Sequence, residues 1–256
     1  MTTRRSRENT KTREYVYPKR RHQRYDLPEV VVTSKCSANI VSKLLGPGCH
    51  FRPEGFLIPD DAADHLLITD GKVGKNTQFY GTGAIPAGLF AESAPEAMMR
   101  MEPLGPNMSI VLSLINVSDH DVTFRGRVRG ETTHENDELL GRCDSIILGL
   151  GSYQVAGRGK ATINIESIVD LTPYRLYVPP STTLEIESLA SESYLNTESA
   201  SRVPAAQLGR ENLASGGIVR LDPEPIVLAQ TYLSITVVNR TEKPESFCGA
   251  ILATRS

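Results

Sequence analysis

Leu114-Ile115-Asn116-Val117-Ser118, with Phe124 and Gly126 just beyond it, returns 123 residues later as Val237-Val238-Asn239-Arg240-Thr241, with Phe247 and Gly249 in the matching places. Each stretch is an apolar run, an Asn followed two places on by a hydroxyl residue, and then Phe-x-Gly. Asn tolerates left-handed backbone angles and hydrogen-bonds its own local backbone, so Asn-x-Ser/Thr after an apolar run reads as a turn. The strand after the turn then carries Phe124 or Phe247 into a core, and Gly126 or Gly249 admits another backbone or a bulge.

Two further landmarks lie outward from this one. Phe51-Arg52-Pro53-Glu54-Gly55-Phe56-Leu57-Ile58-Pro59 aligns without a gap on Leu171-Thr172-Pro173-Tyr174-Arg175-Leu176-Tyr177-Val178-Pro179 at an offset of 120, and Ile85-Pro86-Ala87 on Val203-Pro204-Ala205 at 118. Pro53 and Pro173 are expected to precede short apolar strands and Pro59 and Pro179 to end them, at an edge or corner. Three landmarks in one order at nearly constant displacement read as a tandem duplication of units of about 100 residues.

Between the landmarks, short apolar segments alternate with Gly, Pro, Asn and Asp clusters, which predicts strands. The expected strands are Glu29–Ser34, Gly55–Ile58, Asp64–Thr69, Ser109–Val117, Val122–Arg129, Ser145–Leu150, Ala161–Ile168, Tyr174–Val178, Thr183–Leu189, Gly217–Leu221, Tyr232–Asn239 and Ser246–Ala253. Only Ala91–Met101 and Ala205–Ala214 read as helical. The fold class is therefore all-β: two tandem, duplicated antiparallel β-sandwiches, at 29–135 and 136–256, linked through Glu131 to Gly159 and preceded by an extended arm over 1–28.

The 256 residues carry a net charge of −2, unevenly spread. Arg4, Arg5, Arg7, Lys11, Arg13, Lys19, Arg20, Arg21 and Arg24 face only Glu8 and Glu14 within the first 25 residues, a net +7 that leaves −9 for the rest. A basic arm on an acidic body points to a polyanion or to the acidic surface of a neighbouring subunit. Its arginines and lysines can contact phosphates without a fixed fold, and Tyr15, Tyr17 and Tyr25 can stack on bases. A merely solubilising tail is the plainer reading, and Lys19–Arg24 also resembles a nuclear-localisation run. No apolar run approaches the ~18 residues of a membrane span, and the charged amino terminus is unlike a signal peptide.

Chemistry is sparse elsewhere. Gly71-Lys72-Val73-Gly74-Lys75 lacks the spacing of a phosphate-binding loop and reads as a turn. The five histidines, His22, His50, His65, His120 and His134, show no ligand spacing, and the four cysteines, Cys36, Cys49, Cys143 and Cys248, form no CxxC pair. Cys49-His50 is half a metal site without its other half. Cys248, beside Phe247, reads as a small buried hydrophobe. The clusters Asp60-Asp61-Asp64 and Glu135-Asp137-Glu138 lack calcium-loop spacing. Two of three glycosylation-type triplets, at Asn116 and Asn239 but not Asn107, are explained by the repeated turn. What recurs is scaffold, so no catalytic residue, metal or cofactor is expected.

The organisation as a whole, a basic arm followed by two similar β-sandwiches, resembles the jelly-roll capsid proteins of icosahedral viruses and bacteriophages. The resemblance implies a virion subunit assembled in the host cytoplasm, forming trimers or larger homo-oligomers with other virion proteins, its arm facing genomic nucleic acid or tying neighbours together. The chain is short for two complete eight-stranded rolls, so a trimmed sandwich or a minor capsid, vertex or attachment component fits as well. A carbohydrate-binding or attachment module is the alternative, although the absence of Trp weighs against clustered exposed aromatics. A β-sandwich enzyme would need converging His and acidic residues. A nucleic-acid regulator would need a reading element on a body that is not acidic.

Overall fold

The computed structural model describes residues 22–46, 50–79, 83–94, 99, 101–133, 145–167, 169–179, 183–191, 218–220 and 227–255. The first sandwich holds β1 (His22–Asp26), β2 (Val30–Val32), β3 (Ser37–Val41), β4 (His50–Leu57), α1 (Asp60–Ala63), β5 (Leu66–Val73), β6 (Asn76–Thr77), β7 (Ile85–Pro86), a 3-10 turn (Ala87–Phe90), β8 (Ile110–Asn116), β9 (Val122–Phe124) and β10 (Arg127–Thr133). The second holds β11 (Ser145–Val155), β12 (Lys160–Glu166), β13 (Leu171–Tyr177), β14 (Glu185–Ser191), β15 (Ile218–Arg220), β16 (Tyr232–Val238) and β17 (Glu245–Arg255).

Strict alternation makes the half-buried strands. β8 turns Ile110, Leu112, Leu114 and Asn116 inward and leaves Val111, Ser113 and Ile115 on the outer face, while β16 buries Leu233, Ile235 and Val237. A period of two is what a sheet with one face on a core requires. In the second sandwich the strand orders are β11-β17-β13-β15 and β12-β16-β14, and in the first β1-β10-β4 with β2-β9, and β3-β8-β5-β6. The strands of these sheets pair antiparallel and, apart from the β5-β6 hairpin, with partners distant in sequence. The chain thus wraps from one sheet to the other in the jelly-roll manner.

The two sandwiches match in register as well as in order. His22↔Glu131 and Tyr25↔Val128 of the first correspond to Ser145↔Thr254 and Leu148↔Ile251 of the second, all at an offset of 123. β4 and β13 each carry a bulge, at Glu54 and at Tyr174, against β10 and β17. β5 and β14 carry one at Thr69 and at Glu187. Strands β1 and β2, separated by Leu27-Pro28-Glu29, correspond to the single strand β11.

Several expectations are corrected. Residues 22–26, assigned to the arm, form β1 in register with β10, so the first sandwich begins at His22 and Arg24 lies in a sheet. The linker narrows to 134–144, since Glu131–Thr133 belong to β10 and Ser145–Val155 to β11. The described part of Ala91–Met101 is not helical: Ala91 bridges Ile58, and the Met99 and Met101 amides donate to the Glu54 and Pro53 carbonyls, so this segment runs beside β4. Ala205–Ala214 lies outside the described residues. Pro53 and Pro173 stand inside β4 and β13 rather than ahead of them, and β13 is a central strand. Each proline adjoins a bulge, where regular pairing is already interrupted and a missing N–H costs little.

The second sandwich stacks on the first. Ile147, Tyr177, Ala250 and Leu252, on the outer face of the β11-β17-β13 sheet, belong to the same apolar cluster as Phe51, Phe56, Leu89 and Phe90 of the first sandwich. At their junction the Gly151 amide donates to the Ala84 carbonyl over 3.2 Å. A Cβ at Gly83 would overlap the Gly149 carbonyl oxygen, and one at Gly149 the Gly83 carbonyl oxygen. Both positions must be glycine for the backbones to touch.

Candidate functional site

The repeated residues form two equivalent constellations. Asn116, fully buried, donates from Nδ2 to the Val32 carbonyl (2.9 Å) and the His120 carbonyl (2.7 Å), and its Oδ1 accepts from the Ser118 amide (2.9 Å) and hydroxyl (2.7 Å). Asn239 donates to the Val155 carbonyl (3.1 Å) and the Lys243 carbonyl (2.8 Å) and accepts from the Thr241 amide (2.9 Å) and hydroxyl (2.8 Å). In each case the single hydroxyl proton is shared with a second acceptor in reach, the His120 carbonyl for Ser118 (2.9 Å) and the Lys243 carbonyl for Thr241 (3.0 Å). Every partner in one set lies 123 residues from its counterpart in the other.

Lys35 (φ 56°) and Arg158 (φ 54°) hold equivalent left-handed positions in neighbouring turns. Each anchors an exposed ion pair across the same gap, to Asp119 and to Glu242. Phe124 and Phe247 are both fully buried. A Cβ on Gly126 would overlap the Phe124 ring, and one on Gly249 would press on Leu150, the Tyr177 carbonyl and the Phe247 ring. Pro59 follows β4 and opens α1, and Pro179 follows β13. These positions are structural clasps.

Of the basic arm, Arg4, Arg5, Arg7, Lys11, Arg13, Lys19, Arg20 and Arg21 lie outside the described residues. Arg24 is exposed on β1, directly opposite Arg129 on β10. The same outer face carries His22, Glu131 and Arg52 side by side on the three strands, with Arg127 against Asp26 (3.2 Å). Arg52 and Glu54 are each 4% exposed. Partial burial holds the Arg129 guanidinium below its ordinary range; Glu54 opposes that shift and Arg24 reinforces it. Sequence reading missed this group because its members come from three strands and two of them, Arg52 and Glu54, were absorbed into an apolar landmark.

His22 approaches Glu54 through Nδ1 (3.9 Å) and Glu131 through Nε2 (3.7 Å). These three are the one His/Cys/Asp/Glu group with metal-binding spacing among the described residues. The two carboxylates address opposite ring nitrogens, of which a single ion could use only one, and Arg129 and Arg52 on the same face already supply positive charge. The arrangement fits a charge network better than a metal centre.

The other singled-out residues take structural places. Gly74 (φ 60°) makes the turn between β5 and β6. Asp60 accepts from the Ser93 amide and hydroxyl. His65 and His120 stack edge to face with centroids 4.7 Å apart. Burial pushes the Cys248 thiol up to about 11, so it stays protonated at neutral pH. Cys49, Cys143, His134 and Glu135–Glu138 lie outside the described residues. A cavity of about 460 Å³ opens at one end of the first sandwich, lined mainly by Tyr25, Leu27, Val41, Leu45, Phe51 and Ile110.

No protein-family model and no curated protein matches the chain. Among solved structures, it is similar to a chain from the atomic structure of Sulfolobus Turreted Icosahedral Virus, with 13% identity over 89% of this chain and 59% of that one and a TM-score of 0.30. It is also similar to a chain from an archaeal virus described by its triple jelly roll fold and turret assembly, with 13% identity over 88% and 58% and a TM-score of 0.29. The chain thus spans about three fifths of the length of each of these two chains. No helix among the described residues is long and apolar enough to cross a membrane.

Proposed function

We propose that the chain is a self-assembling structural subunit of a virus particle, a shell or minor capsid component without catalytic role, which arose by tandem duplication of one jelly roll. The observation that carries this reading is the bond-for-bond equivalence of the Asn116 and Asn239 clasps. What the two sandwiches keep in common is the means of holding a rigid shape. A rigid double block presents broad sheet faces and strand edges, and symmetric packing of subunits covers both. The arm, +7 within the first 25 residues, is rooted where β1 pairs with β10, and it reaches nucleic acid or a neighbouring subunit. The partners are further copies of the chain, as a trimer or larger, and other virion proteins.

The cavity at the end of the first sandwich favours a second reading, a carbohydrate-binding or attachment module, in which that opening takes a ligand. Size-exclusion chromatography with light scattering and absorbance at 260 and 280 nm, at low and high salt, separates the two. A salt-sensitive trimer or larger particle supports the structural subunit. A salt-insensitive monomer, free of nucleic acid at every concentration, overturns it and leaves the attachment module.

A further inference from the structure

We propose that the chain assembles head to tail through a knob and a hole at corresponding ends of its two sandwiches: the turn 228–231 of one copy enters the cavity at the end of the first sandwich of the next. The inference rests on the self-assembly proposed above and gives it a contact surface, with a second copy rather than a glycan as the occupant of the cavity. Duplication supplied the same end twice. Leu104 bridges Phe51 in the first sandwich, and Val227 bridges Leu171 in the second. A tight turn follows each bridge. In the first the Met108 amide donates to the Gly105 carbonyl (3.2 Å) and Asn107 is left-handed (φ 61°). In the second the Thr231 amide donates to the Leu228 carbonyl (3.2 Å) and Gln230 is left-handed (φ 63°), each residue 123 places from its counterpart.

The two ends have diverged in opposite senses. At the first, Gly105 opens the turn, and beside it lies the cavity of about 460 Å³, walled by Tyr25, Leu27, Leu45, Phe51, Leu104 and Ile110. Val41 at its rim and the neighbouring Leu44 are 50% and 64% exposed, so the apolar surface continues past the mouth. At the second, Leu228 stands in the place of Gly105 and is 49% exposed. Its turn is rigid: the Ala229 amide donates to Asp170 (2.7 Å), the Gln230 amide to the Ser167 carbonyl (2.6 Å) and the Thr231 hydroxyl to the Leu228 carbonyl (2.6 Å). A leucine held out on a rigid turn and an apolar cavity open to water are each unfavourable alone, and one fills the other. The rims differ in charge as well. Lys43 lines the cavity, and the same position of the second sandwich, 123 places on, is Glu166, paired with Tyr232 next to the Leu228 turn. Both are exposed, and neither is in an ion pair among the described residues. Asp26, the other charge at the mouth, is already held by Arg127 (3.2 Å). Contact between copies therefore sets Lys43 of one against Glu166 of the next. Such a contact is heterologous, and a ring is its closed form.

The test uses the full chain in sedimentation velocity over a range of concentrations, with the concentration of half-assembly as the readout. Leu228→Ser, at a half-exposed site, is expected to keep the parent's Tm and to raise that concentration about tenfold or more, because it removes a leucine that every contact would bury. Val41→Trp, which covers the mouth of the cavity, is expected to do the same. An equimolar mixture of these two variants should stop at a dimer, since the first keeps its hole and the second its knob. Lys43→Glu and Glu166→Lys should each weaken assembly, and the chain carrying both should recover it, a rescue that a role in folding alone would not give. An unchanged half-assembly concentration in Leu228→Ser, or no recovery in the double reversal, overturns the contact. If the parent assembles and Val41→Trp abolishes only binding to a glycan array, the cavity takes a carbohydrate, and the contact is overturned while the structural role stands. If the parent remains a monomer at every concentration, the structural role itself fails.

Discussion

Replacing Asn116 by Ala removes four hydrogen bonds at a fully buried position, two donated to the Val32 and His120 carbonyls and two accepted from Ser118. Each intramolecular bond contributes about 1 kcal/mol net, and a buried polar group left unmet costs about 1–3 kcal/mol. The Ser118 hydroxyl keeps its bond to the His120 carbonyl, which limits the damage there, but the Val32 carbonyl loses its side-chain partner. The expected loss is therefore roughly 3–5 kcal/mol, or about 10 °C in Tm for a chain of this size. Asn239→Ala should match it closely, because the second clasp has the same four bonds. Asn116→Asp keeps the acceptors but sets a carboxylate against two carbonyls, so it should be as harmful at pH 7 and milder at acidic pH, where the protonated group donates once. Urea unfolding followed by far-UV circular dichroism measures all three. A loss below 1 kcal/mol in either Ala variant would refute the reasoning, since the strands alone would then be holding the turns.

Phe124→Ala and Phe247→Ala, both at fully buried rings, should each cost roughly 3–5 kcal/mol, and melting curves like the parent's would contradict their core assignment. Gly83→Ala or Gly149→Ala should drive the sandwiches apart through overlap with the facing carbonyl, seen as a larger radius of gyration in solution scattering with the strand content kept. Cys36 is exposed and Cys248 half-buried with its thiol pushed up to about 11, so peptide mapping after a brief alkylation at pH 8 should find Cys36 modified and Cys248 protected until unfolding. A hydrogen bond and the charge of Lys35 hold the Asp119 carboxyl below its ordinary 3.8. Its folded value lies below its unfolded one, so whatever the pair contributes is present above the ordinary carboxylate range and lost as pH falls through the lowered value. Carboxyl titration by NMR in Lys35→Met should show the Asp119 midpoint moving up.

The repeats were legible because they are made of residues whose roles are local. Asn-x-Ser/Thr names its own turn, and Phe-x-Gly shows that a ring needs room. Strand β3, Ser37-Ala38-Asn39-Ile40-Val41, was not legible, since only Ile40 is fully buried and the strand lies at the edge of its sheet. Strand β1, His22-Gln23-Arg24-Tyr25-Asp26, hides for the same reason: Tyr25 alone reaches the core, edge-on to Phe51 at 4.5 Å. Its charges made it continuous with the arm. Ala91–Met101 has helix-forming residues, but at its described residues Ala91, Met99 and Met101 tertiary pairing with Ile58 and β4 overrode them. The charged face on β1, β10 and β4 could not be read at all without the register, which alone brings Arg24, Arg129 and Glu131 together with Arg52.

One signal for the packing of the two sandwiches was present. Ile146-Ile147-Leu148 in β11 is apolar at successive positions and all three are buried, the pattern of a strand covered on both faces, whereas β1 at the equivalent positions reads Gln23-Arg24-Tyr25. The same sheet face is thus apolar in the second sandwich, where the first covers it, and charged in the first. Had it stayed apolar in both, the first sandwich would offer another chain's second sandwich the kind of surface that joins the two within one chain. Such a contact is head to tail, and head-to-tail contacts that do not close run on into filaments. Arg24, Arg129 and Glu131 close that route, since stacking another sandwich there would strip water from several charges at once.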